Sequence, residues 1–270
     1  MNIIIVPDIT FWYALVIGIS IGTVAAYIGS LMITNRMTLM AGALGHLTLP
    51  GIAIALKYHF DVSLGALLFL LVGIVIIWFL ERQTRLPFEA LTAIVFTTSV
   101  SIAFLFLPQS ETETMLLGNI KHLTGIICLI TVASSLIIFF ITHYIFKRMI
   151  LIGISADIAQ TNKIPVSLYN FIYLLCIALV IALGVRILGG LMTAALVAIP
   201  GSTSKNISVN LTQYVYFSMI AGGLACALGT SAFYVTNLPV GSLIILAGTG
   251  LFALSCMMRA YYLSKKVHIQ

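Results

Sequence analysis

The sequence predicts an all-α fold, a polytopic membrane bundle of eight or nine helical spans, some of them broken or short. Three observations carry that prediction. Only 7% of the 270 residues are charged and 61% are hydrophobic, whereas a water-soluble domain carries roughly a quarter charged residues. The apolar residues fall in runs close to the ~20 residues that a helix needs to cross a hydrocarbon core about 30 Å thick. The runs do not alternate as barrel strands do, and in lipid a helix satisfies each backbone donor and acceptor within its own segment.

The elements follow in order. Run 11–33 holds Gly18 and Gly22 at GxxxG spacing, where small residues let helix backbones approach closely. Run 38–56 lies between the polar "TNR" and Lys57, and runs 63–80 and 90–107 flank the charged "ERQTR". Run 122–146 leads into the longest internal loop, "FKRMILIGISADIAQTNKIPVS", Phe146 to Ser167. Inside that loop Ser155 is placed to cap a short helix and Asp157 to sit in its first turn, where the positive end of the helix dipole favours an acid. Pro165 ends the pattern, and run 168–188 follows. A short run, 190–204, precedes the last two, 212–235 and 240–258. The whole chain, 1–270, reads as one transmembrane domain with a cytoplasmic loop at about 147–167.

The net charge of +6 does not mark a nucleic-acid surface, because the basic residues are scattered between apolar runs rather than clustered. They act as topology signals. With the N-terminus outside, the inner side holds Arg36, Arg82, Arg85, Lys147, Arg148, Lys163, Lys205, Arg259, Lys265 and Lys266, and the outer side Lys57, Lys121 and Arg186. This bias places the C-terminus in the cytoplasm. The start "MNIIIVPDITFWYALVIG" lacks a basic n-region and a small-residue cleavage site, and reads as part of the mature protein. Cys128, Cys176, Cys226 and Cys256 lie singly in apolar runs and read as small apolar filler.

The stretch "MAGALGHLTLPG", Met40 to Gly51, carries the one histidine that falls mid-run. Pro50, four residues after His46, removes the donor that the His46 carbonyl would use, so a kink or an unwound turn is expected there, loosened further by Gly42, Gly45 and Gly51. Broken helix at membrane depth belongs where it lines a cavity or is covered by protein. A neutral imidazole is a common metal ligand and is less costly to bury than a charge. It serves equally as an interhelical hydrogen-bonding group, and the residues alone leave both roles open. His59, His122, His143 and His268 lie at span ends, mouths or the tail. None of the seven carboxylates falls mid-span, which argues against a carboxylate ion relay, and no P-loop is present for ATP hydrolysis.

Five stretches then resemble, in order, the permease subunits of the zinc/manganese/iron ABC importer family. "GALGHLTLPG" is similar to its second-span motif and "LLGNIKHLTG" to its Leu-Phe-Gly-Asp stretch. "ISADIAQTNKIPV" resembles its ATPase-docking loop, "LGVRILGGLMTAALVAIPGSTS" its late Ile-Pro-Ala segment, and "FYVTNLPVGSLIIL" its closing motif. The resemblance implies a type II ABC-importer-like permease without catalytic residues or a resident cofactor, carrying a divalent metal ion as substrate. It implies a second permease copy, a cytoplasmic ATPase dimer, an extracytoplasmic metal-binding protein, and residence in the bacterial cytoplasmic membrane. His46 would line the pathway, with the helix break at Gly42, Gly45, Pro50 and Gly51. Ser155, Ala156, Asp157, Ile158, Ala159 and Pro165 would belong to the loop that couples to the ATPase.

Two departures bear on the ion. The family's second-span Asp is Gly42 here, and its later acidic residue is Asn119. Fewer carboxylates suit a hard ion such as manganese less well than zinc, which accepts imidazole, so zinc is expected over manganese or iron. Two His46 side chains across a dimer axis would make a transient site, one that releases the ion as well as binding it. The competing readings are an ion-coupled secondary metal transporter acting without an ATPase, and a non-transporting scaffold.

Overall fold

The computed structural model describes residues 9–35, 37–84, 86, 88–106, 123–236 and 238–267. Among them are ten helices: α1 Ile9–Thr34, α2 Thr38–Lys57, α3 Val62–Gln83, α4 Phe88–Phe106, α5 Gly125–Ile154, α6 Ala156–Thr161, α7 Val166–Leu188, α8 Gly190–Ile207, α9 Leu211–Thr236 and α10 Val240–Val267. Seven of them are long and apolar enough to cross a membrane. In α4 the apolar portion is shorter, Ala90–Ala103. The chain is thus an all-α polytopic bundle, as the sequence predicts.

α1 is the central post. It packs against α5, α7, α8 and α9, and its second half, Val24 to Met32, is buried throughout. Three of its carbonyls accept hydroxyls from neighbours: Tyr173 Oη donates to Ile28 (2.8 Å), Tyr214 Oη to Ser30 (3.1 Å) and Ser218 Oγ to Ala26 (2.8 Å). Such bonds spare buried hydroxyls the cost of lying unpaired in an apolar interior. The GxxxG pair makes a contact of its own. Gly22 lies against the backbone of Gly222 in α9, where a Cβ would overlap it, and Gly18 faces Thr230 and Cys226. Cys176 and Cys226 are buried free thiols packed as filler, and Cys256 is exposed.

Two helices run well past the sequence reading, and one short run extends: α10 reaches Val267 instead of stopping near 258. α5 runs 30 residues to Ile154 instead of stopping near 146. At 1.5 Å per residue that is about 45 Å, longer than the hydrocarbon core. Nothing in "FKRMILIGI" breaks a helix, so α5 continues out of the apolar layer until Ser155 turns extended (φ −158°, ψ 116°). The run at 190–204 is one helix to Ile207 and continues through Pro200. Gly189, at φ 79°, makes the turn into it, a conformation that suits glycine. α8 then folds back on α7, with Gly184 set against Thr193.

The C-terminal ends of α3 and α5 and the start of α7 meet at one end of the bundle, through Glu81 with Ser167 and Arg148 with Tyr169. That end carries Arg82, Arg148, Lys163 and α6.

Candidate metal pathway

His46 sits in the middle of α2, half-buried, with its ring against Phe96 of α4 at 4.9 Å between centroids. α2 is wedged between α3, α4 and α8, and this packing assigns a separate task to each of its glycines. Gly51 is pressed onto the backbone of Gly65 in α3, where a Cβ on either would overlap the other's carbonyl. Gly45 meets α8: a Cβ there would lie 2.8 Å from that of Ala194 and 2.9 Å from the Gly190 carbonyl oxygen. Gly42, one turn before His46 on the same face, is exposed, and a Cβ on it would meet nothing within 4 Å.

α2 does not unwind. Thr38–Lys57 is a single α-helix through Pro50, so of the kink or unwound turn expected around Gly42, Gly45, Pro50 and Gly51 the unwound turn does not form. Proline removes one hydrogen bond, and glycine lowers helix propensity by only ~1 kcal/mol. Close packing on α3 and α8 holds the helix on both sides of that defect. Gly45 and Gly51 therefore act as contact points between backbones. The His46 carbonyl still lacks its i+4 donor, because residue 50 is proline.

Among the described residues no three His, Cys, Asp or Glu side chains group to hold a metal ion. Asp61 caps α3 by accepting from the Ser63 N–H (2.8 Å), Glu81 accepts from Ser167 Oγ (3.5 Å), and Asp157 lies in α6. Each is at a helix end, far along the helix from the level of His46. The Asn119 stretch lies outside the described residues, as do His122, Glu111 and Glu113.

α4 contributes a surface that sequence reasoning did not single out. Ala93, Thr97 and Ser101, spaced four apart, form an exposed strip of small and hydroxyl side chains. Thr97 and Ser101 donate to the carbonyls four residues back, at 2.9 and 2.8 Å. Beside this strip α4 also exposes Ile94, Ile102 and Leu105, the kind of side chain that α3 exposes at Leu64, Leu68, Val72 and Phe79 and α5 at Leu129, Leu136 and Phe140. The signal was present as five hydroxyl residues between Thr92 and Ser101. Only the packed bundle shows which of them face outward.

The six-residue α6 has the cap that the sequence predicts. Ser155 Oγ accepts from the Ile158 N–H at 3.3 Å, and Asp157 is in the first turn. Ala159 is fully buried against the bundle, while Ile158 is half exposed. Pro165 is the N-cap residue of α7.

Comparison with known proteins converges on one group. The family described as "ABC 3 transport family" matches residues 8–259. The manganese import system permease protein ScaB of Streptococcus gordonii is 24% identical over 94% of this chain and 94% of its own length. The high-affinity zinc uptake system membrane protein ZnuB of Buchnera aphidicola is 26% identical over 91% of this chain and 97% of its own. Among solved structures, PsaBC from Streptococcus pneumoniae in complex with Fab superposes with a TM-score of 0.77, at 24% identity, covering 90% of each chain. That likeness establishes the fold.

Proposed function

The chain belongs to the ABC 3 transport family, and from that premise we propose that it is the permease subunit of an ATP-driven importer for a divalent transition-metal ion, zinc before manganese. Permeases of this family do not themselves hydrolyse ATP, so hydrolysis falls to a separate subunit. One observation carries the reading: a single half-buried imidazole stands mid-helix on a seam between α2 and α4, with open space one turn away at Gly42. Polar groups at membrane depth belong to pathways.

The described residues of one chain offer this ion one ligand near the centre. A second copy, docked so that His46 meets its equivalent, supplies another. The strip Ala93–Thr97–Ser101 is chemically suited to helix contact between copies, since small and hydroxyl residues favour it. A two-imidazole site without a carboxylate fits zinc better than a hard ion. The relatives include permeases named for both metals, so the preference rests on Gly42 and His46. An extracytoplasmic metal-binding protein would deliver the ion, and the assembly would lie in a bacterial cytoplasmic membrane with the chain's C-terminus inside. Residues 155–165, with Ser155, Ala156, Asp157, Ile158, Ala159 and Pro165, would dock on the ATPase.

The test is ATP-dependent uptake into vesicles by the chain together with its ATPase and binding protein, offered zinc, manganese and iron in turn. Zinc uptake is expected to exceed the others and to fall at least about tenfold in His46→Ala, equivalent to ~1.4 kcal/mol of lost stabilisation along the path. Undiminished zinc uptake by that variant would overturn the pathway assignment.

A further inference from the structure

The first two turns of α7 gather contacts from three directions. Ser167 donates to Glu81 of α3 at 3.5 Å. The Tyr169 hydroxyl accepts from Arg148 of α5, whose guanidinium lies 5.2 Å from the ring centres of both Tyr144 and Tyr169. Phe171 packs on Trp78 of α3 at 5.3 Å, and Arg82 covers the indole at 3.9 Å. All of this lies directly after α6. The link between α6 and α7 is short and its N–H groups are paired: that of Asn162 donates to Ile158 (3.2 Å), that of Lys163 to Gln160 (2.9 Å) and that of Ile164 to Ala159 (3.0 Å). Lys163 is held at φ 59°, a conformation costly for a side-chain-bearing residue. A link this short and this well bonded favours passing a displacement of α6 on to the start of α7.

From α7 the path continues inward. Trp78 and Glu81 belong to α3, and α3 meets α2 at two of its glycines, Gly65 on Gly51 and Gly73 on Leu47, where a Cβ would lie 3.0 Å from the leucine. Leu47 is the neighbour of His46. Backbone-on-backbone glycine contacts leave little room to slide, and close-packed interiors transmit displacement.

We propose that the first two turns of α7 pass movement of α6 through α3 to the His46 helix, with Arg148 and Trp78 as the positioning residues that hold that transmission piece. The planar guanidinium, bonded to one tyrosine and lying near two rings, ties α5 to α7. The Trp78–Phe171 stack ties α3 to it. This rests on the permease reading above, and it adds the internal route by which the partner's motion reaches the ion.

The experiment uses the complete transporter in vesicles and reads metal ions moved per ATP hydrolysed, together with recovery of the ATPase on purification. Trp78→Leu and Arg148→Gln are expected to lower that ratio by about 2- to 30-fold, the range found for coupling residues, while the ATPase is retained and hydrolysis persists. Arg148→Lys keeps the charge without the planar fork, and is expected to restore only part of the ratio. Phe140→Leu, on the exposed face of α5, should leave it unchanged. An unaltered ratio in Trp78→Leu and Arg148→Gln overturns the proposal, as does a parallel loss of transport, hydrolysis and folded yield. If the unmutated complex neither retains an ATPase nor moves a divalent ion, it is the permease reading itself that has failed.

Discussion

α2 and α8 are built on one plan. Each carries Pro-Gly in its interior, Pro50–Gly51 and Pro200–Gly201, and each stays helical through it. Each also uses the glycine against a neighbour: Gly51 on Gly65 of α3, and Gly201 on α1, beside Ile33 and Gly29. They even pack on each other, through Gly45, Gly190 and Ala194. What differs is the residue four before the proline. In α2 it is His46, half-buried on the α4 seam, and in α8 it is Leu196, 3% exposed. The glycine-rich proline helix is thus a packing solution common to both. The two helices part at that position: α2 presents a half-buried imidazole against Phe96 of α4, and α8 a sealed leucine.

The comparison breaks first at its backbone contacts. Gly29→Ala would drive a methyl into the Val197 carbonyl of α8. Overpacking against backbone, which cannot rotate away, is expected to cost several kcal/mol, beyond the ~1–3 typical of extra methylenes in a core. It would show as loss of folded protein in detergent, by fluorescence size-exclusion or thermal unfolding. Gly42→Ala, with open space around it, should match the parent in the same assay.

Next in size is an exchange of roles. Leu196→Ala leaves a cavity in the sealed helix and should lower stability by about 2–5 kcal/mol, with residual transport tracking the folded fraction. His46→Ala should do the reverse: its thermal unfolding should stay close to the parent's while uptake collapses. Similar behaviour of the two variants in both assays would show that α2 and α8 are not functionally distinct.

The smallest effect sharpens the ion preference. Gly42→Asp introduces a carboxylate one turn from His46, at a position where an added Cβ meets nothing within 4 Å. Manganese uptake relative to zinc is expected to rise about tenfold, ~1.4 kcal/mol of differential stabilisation, because a hard ion favours oxygen ligands. Competition uptake with both metals present measures it directly. A ratio left where it was would remove Gly42 from the account of selectivity.

Much of this was legible in the chain. Runs of apolar residues define the spans because lipid leaves the backbone no alternative to a helix, and the elements at 63–80, 168–188 and 212–235 fall within three residues of the helices α3, α7 and α9. Ser155 and Asp157 announce α6 because capping is chemistry between near neighbours in sequence. His46 stands out because an imidazole mid-run is costly without a purpose. The sequence could not foretell that Pro50 leaves α2 unbroken, since the forces that keep it helical come from α3 and α8, distant in sequence. Nor could it separate Gly42, Gly45 and Gly51, three identical residues that meet open space, α8 and α3 respectively. Composition and periodicity are local quantities, and they determined the class and the spans. Which face of each helix is covered, and by what, depends on contacts between segments far apart in the chain. Only the packed bundle decided that His46 is left half-buried while Leu196 is sealed.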